Sequence, residues 1–409
     1  MRTRGDLGRG TAAATLCCSL LVLLLTLPAV ASAFPASARP TDDGASASII
    51  GGRSATIAEF PSLAYIQARE GKGGFACTGT VVSPRVILTA AHCVEDIERG
   101  RFTTAGSYAV ATGTTAPGKS LRENVFGVVD THVFPGFDPG SLVGDAAILI
   151  LDRPTLAPPI ALAGPADAAL YAGGAGVQLA GWGLTRSNAT DGPDSLRATA
   201  MVVQRPSFCK RKTERYYPPF SPSAQACTLD VATKKSGGCF GDSGGPAIGQ
   251  RADGTPVELG IVSSGGPFCN TELPNVLTRA DFVSPWVAEW ITAVEFGGPQ
   301  PLVDPDTPFP LMTRPTAEAF TVFTLQRSFG ERFERAERLL GGCRRADRSR
   351  FRCEVGWRAG PTVYAGVVSP FYVRQRQGVT WDSHFRIEWA RLKCLRANAA
   401  RCPIRTKTD

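Results

Sequence analysis

Between residues 49 and 296, short aliphatic runs alternate with glycine, proline, aspartate and asparagine. Representative runs occupy 79–82, 86–89 and 146–151. Strand-length apolar segments between turn-forming residues are typical of all-β sandwiches and barrels. Near the end, apolar residues from Phe282 to Ile291 recur every three to four positions, which indicates a helix. We therefore predict a β domain that ends in one helix.

A proline-rich stretch, 297–315, follows this pattern. Proline removes backbone donors and favours extended conformations, so we predict a semi-rigid linker. Next, Ser328 and Glu331 have capping-box spacing, and Gly341 is placed to end a helix. The apolar face of this predicted helix consists of Phe329, Phe333, Ala336 and Leu340.

The rest of the tail has strand-like patterns. Apolar and polar residues alternate over 351–357, and further β-type runs occupy 362–368 and 385–389. We therefore predict that residues 316–409 form a small α+β domain.

The amino terminus has the pattern of a secretory signal peptide over residues 1–33. Three arginines precede an apolar run over 16–27, and Ala31-Ser32-Ala33 forms a small-x-small cleavage site. The alternative, a membrane anchor, needs roughly 20 apolar residues, and this run is shorter and is followed by Pro28. Residues 34–48 lack a hydrophobic period and are predicted to be a propeptide. We expect a secreted, extracellular protein with no membrane span in its mature form.

The length and charge of the chain separate the tail from the rest. A chain of 409 residues predicts two folded units. From Arg314 onward, 20 Lys and Arg stand against nine Asp and Glu, a surplus of 11 in a chain whose net charge is +8. This basicity suggests an anionic cell-surface ligand, whereas the alternative is a solvated sheet face opposite an aromatic core. The core aromatics would be Trp357, Tyr364, Tyr372, Trp381 and Trp389. We expect no nucleic-acid partner.

The cysteines indicate disulfides. Cys17 and Cys18 lie in the predicted signal peptide, and the other ten form an even set in a chain bound for an oxidising compartment. Because the chain has three histidines and no Cys-x-x-Cys cluster, we expect neither a metal site nor a cofactor.

Three local blocks contain the residue types of nucleophilic catalysis. A serine hydroxyl needs a positioned base, and that base needs a carboxylate to fix its tautomer. Ser243 lies in the glycine-dense block Gly-Asp-Ser-Gly-Gly-Pro, His92 follows a β-type run in Thr-Ala-Ala-His-Cys, and Asp145 begins a buried-strand pattern.

These blocks, in the order His, Asp, Ser, resemble the chymotrypsin/trypsin family, peptidase S1. Ile49-Ile50-Gly51-Gly52 and Gly181-Trp182-Gly183 match two further motifs of the family, and the resemblance covers about 49–296 but not the linker or tail. It implies two perpendicular six-stranded antiparallel β-barrels with a catalytic cleft between them and a carboxy-terminal helix. It also implies a serine endopeptidase, made as a zymogen, that cleaves protein or peptide substrates through an acyl-enzyme.

The resemblance implies a role for each matching residue. Ser243 would be the nucleophile, His92 the general base and Asp145 its orienting carboxylate. The backbone N–H groups of Gly241 and Ser243 would form the oxyanion hole. Ser263 would hydrogen-bond Asp145.

Activation is also implied, with one departure from the family. Asp242 would pair with the new α-amino group of Ile49 after cleavage. Family zymogens are commonly cut after Lys or Arg, whereas Ser48 precedes Ile49 here. We therefore expect activation by a protease that accepts small residues.

The residues that correspond to the specificity pocket argue against trypsin-like specificity. Gly237 stands at the base of the pocket, where trypsins carry aspartate, so a basic side chain would lack a counter-charge. Gly265 leaves the entrance open, Ser264 replaces the usual tryptophan, and Asn275 replaces a glycine. We expect Asn275 to shorten a pocket that Ser263 and Gly265 also line, which favours small-to-medium or polar side chains.

The family pattern implies the disulfides Cys77–Cys93, Cys209–Cys227 and Cys239–Cys269. Four tail cysteines allow three connectivities, and we favour the sequence-adjacent pairs Cys343–Cys353 and Cys394–Cys402.

Two alternatives remain open. One is a non-catalytic binding protein on the protease fold, although such proteins usually lack a triad member and none is missing here. The other is a protease that its carboxy-terminal domain targets to an anionic surface.

Overall fold

The computed structural model describes residues 49–70, 73–186, 195–214, 220–302, 306–334 and 336–409, so the predicted signal peptide and propeptide lie outside the described residues. The chain divides into two compact units. Of the described residues, the larger unit contains those from 49 to 311 together with Tyr372–Trp381. The smaller unit contains Met312–Phe371 and Asp382–Asp409.

The larger unit consists mainly of strands. In chain order up to residue 311, these strands are β1 (Arg53–Ser54), β2 (Leu63–Glu70), β3 (Gly73–Ser83), β4 (Val86–Thr89), β5 (Glu95–Asp96), β6 (Arg101–Phe102), β7 (Tyr108–Thr112), β8 (Val125–Val133), β9 (Ala147–Leu151), β10 (Ala161–Leu162), β11 (Gly176–Gly181), β12 (Arg197–Val203), β13 (Gln225–Leu229), β14 (Pro246–Gln250), β15 (Pro256–Ser264) and β16 (Asn275–Arg279).

Twelve of these strands form two closed barrels. The first closes in the order β2-β3-β4-β9-β8-β7. The second follows the order β12-β11-β14-β15-β16-β13 and closes where β13 pairs with β12. Neighbouring strands within each barrel are antiparallel, which confirms the predicted fold class.

A helix covers part of the first barrel. Helix α1 (Pro206–Thr213) precedes β13, and helix α2 (Ala280–Phe296) follows β16. Val283, Trp286 and Trp290 of α2 pack in one apolar cluster with buried residues of β4 and β9. Every residue of β9 is buried, which explains why its sequence does not alternate. The predicted carboxy-terminal helix is confirmed.

The smaller unit is a five-stranded sheet with helices. Strands β17 (Glu337–Arg345), β18 (Phe351–Ala359), β19 (Thr362–Gln375), β20 (Gly378–Arg391) and β21 (Arg405–Thr408) are ordered β17-β18-β19-β20-β21. Its helices are α3 (Arg314–Phe329), α4 (Glu331–Glu334) and α5 (Leu392–Asn398). Along β18, Phe351, Val355 and Trp357 are buried while Arg352 and Arg358 are exposed. This alternation favours the interpretation of the aromatics as core and the arginines as a solvated face.

The helix predicted from Ser328 to Leu340 is wrong. Helix α3 begins at Arg314, inside the stretch predicted as linker, because the first turn of a helix tolerates Pro315 and Thr313 caps that turn. It ends at Phe329, since Gly330 has φ of +51°. Only one turn of helix follows, and residues from Glu337 onward pair with β18 instead.

Disulfides join Cys343 to Cys353 and Cys394 to Cys402 in the smaller unit. None of the helices in the described ranges is both long and apolar enough to cross a membrane.

The buried Glu258 predicts how the stability of the protein depends on pH. Glu258 on β15 is fully buried, and burial raises its pKa to about 8. Between about pH 4.5 and pH 8 the unfolded chain ionises this group while the folded chain keeps it protonated, so its contribution to stability is lost as pH rises. We therefore expect the free energy of unfolding in urea to fall between pH 5 and pH 8. This fall should be smaller in Glu258→Gln than in the wild type. The exposed Glu289→Gln is the control, and an equal pH slope in all three proteins would contradict the prediction.

Candidate active site

A short turn after β4 presents His92. Residues Ala91–Cys93 form one 3₁₀ turn, and Cys93 is disulfide-bonded to Cys77 on β3. The His92 backbone N–H donates to Asp145 Oδ1 at 3.0 Å, and His92 Nδ1 lies 2.7 Å from Asp145 Oδ2. Both the backbone and the ring of His92 are thus fixed by one carboxylate.

The Asp145 side chain is completely buried in front of β9. Ser263 Oγ, on β15, donates to Asp145 Oδ2 at 2.6 Å. Thr278 Oγ1, on β16, donates to the Asp145 backbone carbonyl at 3.0 Å. Because a buried carboxylate without partners costs several kcal/mol, the hydrogen bonds from His92 and Ser263 are what allow it to lie here.

The electrostatics of the pair favour a protonated imidazole. Burial lowers the pKa of His92, but the charge of Asp145 and its hydrogen bond to the ring outweigh burial, so the net pKa is raised above its ordinary value. With Asp145 at Nδ1, the other ring nitrogen, Nε2, is the one available to accept a proton.

Ser243 lies on a turn that requires glycine on both sides. Gly241 has φ of +97°, and Gly244 has φ of +81°. A Cβ on Gly244 would lie 2.0 Å from Thr89 Oγ1. Ser243 and His92 line the same cavity.

Hydrogen bonds fix the backbone of this turn. Thr78 donates its N–H to the Ser243 carbonyl and its hydroxyl to the Gly241 carbonyl, both at 2.9 Å. The Phe240 carbonyl accepts from Leu184 N–H at 2.7 Å. Since the C=O and N–H of a trans peptide point in opposite directions, this bond directs the Gly241 N–H away from Leu184.

Asp242 is buried beneath the turn. It accepts from Gly183 N–H at 2.8 Å and from Cys239 N–H at 2.9 Å. Burial nevertheless raises its pKa to about 7. Nearby, Ile49 is fully buried, and the Ile50 carbonyl accepts from Gly237 N–H at 3.1 Å.

Asn275 lies across the space between the walls of the candidate specificity pocket. Its Oδ1 accepts from Gly238 N–H at 3.1 Å, and its Nδ2 donates to the Gly238 carbonyl at 3.4 Å. A Cβ on Gly237 would lie 3.0 Å from Oδ1, and one on Gly265 would lie 2.8 Å from Nδ2. The amide therefore fills the space that these glycines leave, and Gly238 satisfies its polar atoms.

Several residues of the site had no sequence signal. Thr78 and Thr278 hold backbone carbonyls, and threonines on β-type runs are too common to be singled out. Phe75, Phe240 and Phe268 are exposed and line the cavity. An exposed aromatic is not distinguishable from a core aromatic by sequence alone.

Two disulfides join elements that line the cavity. One is Cys77–Cys93 behind His92, and the other is Cys239–Cys269, which joins the turn of Ser243 to the pocket wall. Cys209–Cys227 ties helix α1 to β13. Within the described residues no group of three or more His, Cys, Asp or Glu side chains is arranged to hold a metal ion.

Comparison with known proteins places the site in context. Residues 49–287 match the family model described as Trypsin. Trypsin alpha-4 of Lucilia cuprina is 27% identical over 278 residues, which cover 67% of this chain and 98% of that protein. Trypsin beta of Drosophila erecta is 26% identical over 278 residues, 66% of this chain and 98% of that protein. Serine protease filzig of Drosophila melanogaster is 28% identical over 254 residues, which cover 60% of this chain but 14% of that protein.

Substitution of Ser263 and of its neighbour Ser264 tests how much the hydrogen bond to the buried Asp145 carboxylate contributes to stability. Ser263→Ala removes a hydrogen bond to Asp145, and bonds to charged groups contribute about 1.5–3 kcal/mol. We expect the free energy of unfolding in urea to fall by about that amount. The control is the more exposed Ser264→Ala, for which we expect a change within about 0.5 kcal/mol. Equal losses in the two variants would contradict this account.

Proposed function

Because this chain belongs to the trypsin family of serine proteases, and is therefore a serine-type endopeptidase, we propose that Ser243, His92 and Asp145 are its catalytic triad. The observation that carries the proposal is the fully buried Asp145, hydrogen-bonded to the ring and backbone of a histidine that shares a cavity with Ser243. The substrates are proteins or peptides.

The proposed reaction has two halves. His92 Nε2 takes the Ser243 hydroxyl proton as Oγ attacks the scissile carbonyl carbon, and the N–H groups of Gly241 and Ser243 stabilise the oxyanion. His92 then gives this proton to the leaving amine, and an acyl-enzyme remains. Water, deprotonated by His92, attacks the ester, and the returning proton restores Ser243. Asp145 stabilises the imidazolium in both halves.

The enzyme is made as a secreted zymogen in this proposal. The predicted signal peptide and the disulfides support secretion. Cleavage between Ser48 and Ile49 creates an α-amino group that pairs with Asp242. The raised pKa of the buried Asp242 supports this step, because a cation beside the carboxyl would stabilise its charged form. The pairing of Ile50 with Gly237 keeps the cleavage site close to the pocket.

The specificity pocket accepts small side chains in this proposal. No carboxylate stands at Gly237, so a basic side chain would lack a partner, and the Asn275 amide occupies the space that a large aromatic would need. Because the Gly238 backbone already hydrogen-bonds the Asn275 amide, the pocket selects substrate side chains by small size and not by polarity.

A fluorophosphonate probe tests the triad and the activation step together. We expect the probe to label Ser243 in protein that begins at Ile49. In protein with an intact Ser48–Ile49 bond, labelling should fall about 100-fold or more, because the oxyanion donors are in place only when Asp242 pairs with the α-amino group of Ile49. Ser243→Ala is the control for labelling at this residue. Protein beginning at Ile49 that fails to react would support the non-catalytic alternative.

Substitution of Asn275 tests the pocket. With peptides that differ only in the residue before the scissile bond, we expect the wild type to prefer Ala over Phe and Arg. Asn275→Gly should raise kcat/KM for Phe relative to Ala about 10-fold or more, because it reopens the pocket. Asn270→Gly, on the exposed loop nearby, should leave the ratio unchanged. A dominant preference of the wild type for Arg would contradict the proposal.

A further inference from the structure

One segment outside the family match belongs to the larger unit. The match ends at residue 287, whereas Tyr372–Trp381 comes from the end of β19 and the beginning of β20. We call it the 372–381 segment. Some of its contacts within the larger unit lie on residues 307 and 309, and others lie on the two stretches of chain that lead away from His92 and toward Asp145.

The 372–381 segment holds the hairpin that follows His92. Strands β5 and β6 form this hairpin, which begins two residues after Cys93. Trp381 Nε1 donates to the Ile97 carbonyl at 2.7 Å, and Thr380 Oγ1 donates to Glu95 Oε1 at 2.6 Å. The fit is close, because a Cβ on Gly100 would lie 2.2 Å from the Trp381 carbonyl oxygen.

The same segment holds the chain that leads to Asp145. Val133 N–H, at the end of β8, donates to the Gln377 carbonyl at 2.7 Å, and Val133 is paired with Ala147 of β9. Tyr372 OH donates to Asp138 Oδ1 at 2.5 Å, in the loop between β8 and β9. Both contacts lie on the stretch of chain that leads to Asp145.

The hydrogen bond from Thr380 matters because its acceptor, Glu95, is a buried carboxyl group that lines the same cavity as His92. Glu95 is 2% exposed. Burial, together with the nearby charges of Asp145, Asp96 and Asp138, raises its pKa to about 8, although the hydrogen bond from Thr380 lowers it. Asp96 is itself paired with Arg99 at 2.6 Å. Glu95 Oε2 has no hydrogen-bonding partner in the described part of the chain, so Thr380 is the partner that anchors this carboxyl.

We propose that the 372–381 segment is a positioning element for the catalytic pair, with Thr380 fixing the hairpin after His92 and Tyr372 fixing the loop before Asp145. The inference rests on the proposed triad. Neither Thr380 nor Tyr372 is among the residues that line the cavity, and the segment acts by holding the His92–Asp145 contact in register. The active site is then incomplete without a segment that the family match does not contain.

The test uses full-length protein cleaved before Ile49, with kcat expressed per active site titrated with a burst reagent. Thr380→Val removes the hydroxyl but keeps the shape of the side chain. We expect kcat to fall about 10-fold or more, because the catalytic pair is no longer held in the geometry of the transition state. KM should stay within about twofold, because substrate binding in the ground state does not change. The acid limb of the pH profile of kcat/KM should move to lower pH, since a weaker contact with Asp145 lowers the pKa of His92.

Two variants separate positioning from general stability. Thr380→Ser keeps the hydroxyl and should restore kcat and the pH profile. Thr321→Val removes a buried hydroxyl that donates to the Ala317 carbonyl within the smaller unit, and should leave both unchanged. Tyr372→Phe tests the second contact independently, and we expect a fall in kcat with unchanged KM.

Wild-type kcat per active site and an unshifted acid limb in Thr380→Val would overturn the proposal. If Thr380→Val does not fold, the same result in Tyr372→Phe overturns it. Ser243→Ala separates a failure of the proposed triad from a failure of the proposed role of the 372–381 segment. Activity that survives in Ser243→Ala contradicts the proposed triad, whereas an inactive Ser243→Ala beside a fully active Thr380→Val contradicts only the role of the segment.

Discussion

The buried carboxylate of Asp145 is the constraint on which the rest of the larger unit depends. A buried anion is tolerated only where donors surround it, and these donors come from His92 and Ser263, which lie far from it in the chain. Closing β4 and β9 into one barrel brings His92 to Asp145. Packing β15 of the second barrel beside them brings Ser263. The double barrel is therefore what makes this polar cluster possible.

Three other buried acids in the larger unit, Glu258, Glu95 and Asp242, have fewer donors than Asp145 and are held toward the protonated form. Burial raises the pKa of Glu258 and Glu95 to about 8 and that of Asp242 to about 7. Glu95 lies on the His92 side of the cavity, where a second negative charge would compete with Asp145 for the imidazolium. In the proposed activation, Asp242 differs because cleavage before Ile49 supplies a cation next to it. The cost of burying a charge would then make the state of Asp242 depend on cleavage.

Local patterns predicted most of the larger unit. The apolar runs at 86–89 and 146–151 are strands, and the spacing from Phe282 to Ile291 is a helix, because these elements are long enough for their period to be distinctive. The helix predicted after Ser328 failed because four apolar residues at helical spacing also fit the end of α3, the one-turn helix α4 and the start of β17. The contact between Thr380 and Glu95 spans 285 positions, and no local pattern reports such a distance. That Asn275 shortens the specificity pocket stays a prediction, and no local pattern indicates the pairing of its amide with Gly238.

Asp145 fixes the orientation of His92 and stabilises its protonated imidazole, and proton NMR of Ser243→Ala measures this directly. The chain has three histidines, so the imidazole signal of His92 can be assigned by substituting the other two, His132 and His384. We predict a pKa for His92 above its ordinary value, and a fall in this pKa when Asp145→Asn is added. A His92 pKa at or below the ordinary value, or one that Asp145→Asn does not change, would contradict the account.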